Sequence, residues 1–127
     1  MIRLPWVQIR LTAIMHADEF EDTVEFALGL VPEPFQAALA DVAVLIDDDA
    51  PADMGRLYGL YQGVPRTHPE SRGYGQLPPR ITIYRGPLEH DFPDRQKLIG
   101  QICMTVLHEL GHHLGMNEQQ LRDLGYG

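Results

Sequence analysis

Near the end of the chain, His108-Glu109-Leu110-Gly111-His112 sets two imidazoles four residues apart with a carboxylate beside the first. Residues four apart on an α-helix lie only about 40° apart around its axis. On a helix both imidazoles therefore project from one face and can grip a single metal ion. Glu109 lies about 100° round from His108, so it misses the ligand sphere but reaches a metal-bound water. Two neutral nitrogens with a carboxylate base beside them form the working part of a zinc hydrolase. A chain with this one's six His and eight Glu produces such a pattern by chance in roughly 2% of shuffled sequences. The pattern is therefore read as a site rather than as surface histidines, and its nitrogen ligation makes Zn2+ the expected ion.

A catalytic zinc usually takes three protein ligands and keeps one position open. Two histidines leave it one ligand short. The chain continues His113-Leu114-Gly115-Met116-Asn117-Glu118, and Gly115 is expected to stop the helix and turn the chain back. That return brings Glu118, ten residues after His108, towards the metal. The spacing matches the metzincin-like HExxHxxGxx(H/D) layout with Glu in the last slot. Glu118 also reads as an ordinary acidic residue at a helix start. His90, Asp94 and Asp123 are competing third ligands, each otherwise a loop or capping residue.

These groups need a scaffold. An uninterrupted helical pattern runs from a start signal at Asp91, Pro93 and Asp94 to about Leu114. Ile99, Ile102, Cys103, Val106, Leu107, Leu110 and Leu114 fall opposite the two histidines, so one face meets a core and the other a cleft. Gly100 and Gly111 share a flank on which a neighbouring element can approach closely. Upstream, residues 6–14 alternate like a strand, and 1–15 reads as an appended arm or strand. Asp18 to Leu30 carries the helical stripe Phe20, Val24, Ala27, Leu28 and Val31, with acidic residues crowding its first turn. Pro34 to Ala40 suits a short helix, and the VAVLI run in Asp41 to Asp48 a buried strand. Residues 49–79 are rich in Gly and Pro and read as one long loop. Arg80 to Arg85 alternates as a strand, and Asn117 with Gln120 resembles a capping box for a last helix through Leu124.

The 127 residues fit one domain with a normal core. A net charge of −8 disfavours phosphate backbones, so nucleic acid is not an expected partner and a metal-dependent nuclease is disfavoured. No run is long or clean enough to cross a membrane, and no signal peptide is evident. The single cysteine, Cys103, permits no intrachain disulfide. The chain is expected to be cytoplasmic.

HELGHHLGM, with Leu121 five positions on, resembles the small bacterial "minimal" zincin-like metallopeptidases, marked by HExxHHxGM and an acidic turn. The resemblance extends from about Phe20 through FEDTVEFALGLVPEPF, DVAVLIDD, GLYQGVPR and LPPRITIYRGPLE. It implies His108 and His112 as zinc ligands, Glu109 as general base, and an acidic third ligand delivered by the Gly115 turn. It also implies an α/β (α+β) zincin-like fold: a small mixed sheet packed on a long active-site helix, with two or three further helices. The family has Asp and Ser where this chain has Glu118 and Asn117. In zincins an edge strand near the active helix pairs with an extended peptide, and RITIYR is the candidate here.

The expected activity is zinc-dependent hydrolysis of a peptide or amide bond in a peptide or protein substrate. The alternative is a non-catalytic zinc-binding interaction or regulatory module on the same scaffold. Of the remaining polar residues, His113 is expected to pack or support the site and Met116 to be ordinary core. Asp47, Asp48 and Asp49 are expected to be solvated rather than a second metal site. Tyr58, Tyr61, Arg66 and Tyr74 are possible oxyanion donors, and the sequence selects none of them.

Overall fold

The computed structural model describes residues 7–9, 14–63 and 78–127. Four strands form one mixed sheet in the order β1 (Val7–Ile9), β2 (Ala43–Asp47), β4 (Arg80–Tyr84), β3 (Gly59–Gln62). β1, β2 and β4 run parallel and β3 runs antiparallel to β4. Among the described residues five α-helices accompany the sheet: α1 (Ile14–Gly29), α2 (Phe35–Ala38), α3 (Arg85–Asp91), α4 (Arg95–His113) and α5 (Glu118–Leu124). This is the mixed α+β architecture expected, with more helices than the sequence signals.

β-branched runs fill the middle of the sheet for a physical reason. Strands covered on both sides gain most from Val and Ile, whose branched side chains fit the pleated surface. In β4, Ile81, Thr82, Ile83 and Tyr84 are all buried, and Val44 and Ile46 of β2 join them. α1 lays its stripe of Phe20, Val24, Ala27 and Leu28 into the same core. α4 contributes Ile99, Ile102, Val106, Leu107 and Leu110. Asp94 fixes where α4 begins, accepting hydrogen bonds from Gln96 N and Lys97 N at 2.9 and 3.1 Å.

The fold departs from the sequence expectation in three places, and a fourth expectation is covered only in part. α1 begins at Ile14 rather than Asp18, so no acidic residue lies in its first turn. β1 is described over Val7–Ile9; residues 6 and 10–13 of the expected strand lie outside the described residues, and Ile14 opens α1. α3 is unexpected, because Gly86-Pro87 reads as a break; in fact Pro87 sits in the first turn, where its missing N–H costs nothing. Finally, the region read as one loop contains β3. Among the described residues that strand makes the edge, and RITIYR is an interior strand with neighbours on both sides and no free edge for a peptide. Four residues headed by glycine and flanked by Gly/Pro-rich chain are too short an alternation to recognise.

Among the described residues no helix is long and apolar enough to cross a membrane.

Candidate metal centre

The C-terminal end of α4 is a turn that only glycine makes easily. Gly115 has φ +87°; its N–H donates to His112 O at 3.0 Å, and Met116 N–H reaches back to Gly111 O at 2.9 Å. This 5→2 and 6→1 pair is a Schellman motif, and it reverses the chain immediately after the histidines. Asn117 then caps α5 in a capping box, exchanging hydrogen bonds of 2.8 Å each way with Gln120. α5 docks on α4 through Leu121, which lies over Gly111: a Cβ there would fall 2.2 Å from Leu121 Cδ2. The other flank glycine, Gly100, has nothing among the described residues within 4 Å of its Cβ position and serves no such approach there.

The turn, the cap and the docking carry Glu118 back to the two imidazoles. Its Oε1 lies 2.9 Å from His112 Nε2 and 3.4 Å from His108 Nε2. The two Nε2 atoms are 3.2 Å apart. Each imidazole is oriented from behind by a main-chain carbonyl: His108 Nδ1 donates to Tyr126 O at 2.8 Å and His112 Nδ1 to Met116 O at 3.2 Å. A carbonyl only accepts, so in the neutral rings both protons sit on Nδ1 and both Nε2 lone pairs point inward. With the carboxylate, this gives three acceptors within about 3 Å of one another and no donor among them. Such a triangle calls for a cation. A tetrahedral zinc with ligands at about 2.0–2.1 Å spaces its donor atoms by about 3.3 Å, close to the separations found here. The donor chemistry and spacing fit zinc.

Glu109 points into the same space without joining the triangle. Its Oε2 is 4.0 Å from His108 Nε2, and its Oε1 accepts a 2.9 Å hydrogen bond from Tyr61 N–H on β3. The side chain is 13% exposed. Burial pushes its carboxyl above the usual carboxylate range, partly offset by nearby His108 and by the Tyr61 N–H. A cleft of about 300 Å³ opens beside it, walled by Tyr58 and Gly59 of the β3 side, Met104 and Thr105 of α4, and Tyr126. A larger depression, near 550 Å³, lies between Asp49, Arg56, Gly86 and His90 and includes none of the triangle.

The other candidate ligands lie elsewhere. His90 is 83% exposed and hydrogen-bonds Asp91. Asp94 is occupied as the α4 cap. Asp123 accepts from Gln119 within α5. In the acidic run, Asp48 pairs with Arg85 at 2.9 Å, and Asp47 accepts from the Asp48 N–H. Of the oxyanion candidates, Tyr58 Oη donates to Asp91 and Tyr61 Oη bonds to His113 Nδ1; Arg66 and Tyr74 lie outside the described residues. His113 is fully buried, and Met116 packs against the core. Sequence reasoning missed three participants. The carbonyls of Met116 and Tyr126 leave no trace in residue type, since every residue has one. Gly59 had a faint signal, a glycine opening the short alternation of β3.

An α+β scaffold that presents two imidazoles and a carboxylate from one long helix defines the zincin class. Comparison with protein families agrees: residues 39–127 match the zincin-like metallopeptidase family, and the chain belongs to it. The match begins at Leu39, so α1 and α2 precede it, whereas the sequence resemblance reached back to Phe20. Comparison with curated proteins gave no match. Membership implies a metal, typically zinc, and peptidase-like hydrolysis.

Proposed function

We propose that this protein is a zinc-dependent peptidase that binds an extended peptide or protein segment along β3 and cleaves it beside Glu109. His108, His112 and Glu118 would hold the ion. Zinc held by such a set supplies Lewis acidity, which activates water near neutral pH and polarises a carbonyl.

The chain's own residues account for the rest. Glu109 takes a proton from the attacking water and passes it to the leaving amine. Tyr61 N–H holds one carboxylate oxygen and leaves the other towards the imidazoles. β3 supplies the docking edge. Tyr58 O accepts from Tyr84 N–H on β4, so the alternate residues Gly59 and Tyr61 turn their main-chain groups outward. With the Tyr61 N–H committed to Glu109, the Gly59 N–H and C=O and the Tyr61 C=O are the groups a peptide strand would pair with. An acidic chain with one cysteine supports a cytoplasmic protein that acts on peptides rather than nucleic acid.

The single observation that carries this reading is Glu109, half-buried, anchored by a main-chain donor and beside the ligand triangle without entering it. A purely structural zinc has no use for such a carboxylate. Glu109→Gln is expected to keep about one zinc per chain while peptide cleavage falls at least about 100-fold. Undiminished cleavage by that variant would sink the proposal. Tight zinc with a fourth protein ligand and no cleavage would favour the non-catalytic module instead.

A further inference from the structure

We infer that His113 is a positioning residue for Glu109, acting through Tyr61; the inference rests on the proposed reading of Glu109 as the base. β3 runs along α4 in step with its turns. Two residues of strand advance about 6.6 Å and four residues of helix about 6.0 Å, so alternate strand residues meet successive helical turns. Gly59 lies against Thr105 and Glu109: a Cβ on Gly59 would fall 2.5 Å from Thr105 Cγ2 and 3.9 Å from Glu109 Cγ. Tyr61, two residues on, spans the next interval. Its N–H donates to Glu109 Oε1 at 2.9 Å, and its Oη meets His113 Nδ1, one turn further along α4, at 2.8 Å.

The direction of the second bond follows from what surrounds the imidazole. His113 is 0% exposed. Asp41 Oδ2 lies 3.7 Å from its Nε2, a carboxylate that favours the proton on that nitrogen. Nδ1 is then the acceptor and the Tyr61 hydroxyl the donor. The tyrosine ring also packs on the imidazole, with centroids 5.5 Å apart. One residue of an edge strand is thereby fixed to α4 at two points, one main-chain and one side-chain. An edge strand of four residues opens readily unless something holds it. The buried His113 acceptor is that hold, and it keeps the Tyr61 N–H against the carboxylate. The doublet His112-His113 thus divides its work, the first imidazole facing the ion and the second holding the strand that orients the base.

Amide hydrogen exchange on the full chain, with and without zinc, tests this directly. Tyr61→Phe keeps the ring and the N–H but removes the hydroxyl donor; His113→Leu removes the acceptor. Both are expected to speed exchange of the Tyr61 amide by about 5-fold or more. The amides of Ile81 and Ile83, which face β2 rather than β3, should stay unchanged. His113→Asn, which keeps a polar atom near the Nδ1 position, should restore slow exchange. With a cleavable peptide, kcat should fall about 10-fold in Tyr61→Phe at unchanged zinc content. Wild-type exchange at Tyr61 in both disruptive variants would overturn the inference. So would faster exchange shared equally by Ile81 and Ile83, since that is general destabilisation. If the wild-type protein cleaves no peptide, the peptidase reading fails, while the exchange measurement still decides the role of His113.

Discussion

At position 118 one methylene separates the residue present from the Asp that the sequence resemblance leads one to expect. The longer arm brings Oε1 to 2.9 Å of His112 Nε2 from the first residue of α5. Removing it should cost more than the roughly 10–100-fold loss of affinity typical of residues that only support a ligand. Glu118→Ala is therefore expected to lower zinc affinity by more than about 100-fold, whereas Glu118→Asp should retain stoichiometric zinc and lose less. Competition against a chromophoric chelator measures both. Glu109 gives a second prediction at this scale. Burial raises its pKa in the metal-free protein, above the ordinary value of about 4.3. A group whose folded pKa is raised adds stability below its unfolded pKa and loses it as pH rises through the folded one. Metal-free protein should thus lose this contribution as pH climbs past the Glu109 pKa, and zinc, a nearby dication, should draw that pKa down. Carboxyl NMR titration with and without zinc reads both shifts.

Two glycines decide how α5 is placed. Gly115 holds φ +87°, a region that costs a side-chain-bearing residue about 1–2 kcal/mol. Gly111 leaves the space that Leu121 fills. The consequences differ. Gly115→Ala should lower stability by about 1–2 kcal/mol and weaken zinc binding modestly, because the turn can persist under strain. Gly111→Ala should push α5 off α4 and carry Glu118 out of reach, with a larger loss of zinc. Pairing it with Leu121→Ala removes the colliding atoms and should recover part of that affinity, a non-additivity that a double-mutant cycle detects. At this scale most helices are legible in the sequence: α4 from its stripe and Asp94 cap, α5 from Asn117 and Gln120, and the Gly115 stop. α3 and β3 are not, because both are short and carry Gly or Pro where local rules expect a break.

Across the whole molecule the candidate centre has a local half and a distant half. The triangle and the carbonyls behind it all come from residues 108–126. The hold on Glu109 comes from Tyr61, 48 positions away in the chain. Zinc would tie α4 to α5 directly and should stabilise the fold by mass action. At a free concentration 100 times the Kd the gain is about 2.7 kcal/mol, and for a domain this size Tm should rise by roughly 10 °C. A chelator should reverse the rise, and Glu118→Ala should abolish it at the same zinc concentration. Thermal unfolding followed by circular dichroism is enough to see it.

The sequence by itself determined the local half, since helical periodicity, a glycine stop and a capping box act over a few residues and leave their chemistry in residue type. His108 and His112 on one face, the return of the chain at Gly115 and the acidic surface are all legible in the order of residues alone. Only the tertiary structure decided what depends on packing between distant segments. It brought Glu118, and not His90, Asp94 or Asp123, to the two imidazoles, made β3 rather than RITIYR the edge of the sheet among the described residues, set Gly59 against Thr105, and joined Tyr61 to both Glu109 and His113. Strand order and long-range hydrogen bonds follow from how the whole core closes. The carbonyls of Met116 and Tyr126 belong here too, because a main-chain acceptor gains its role from where the fold places it and not from the side chain beside it.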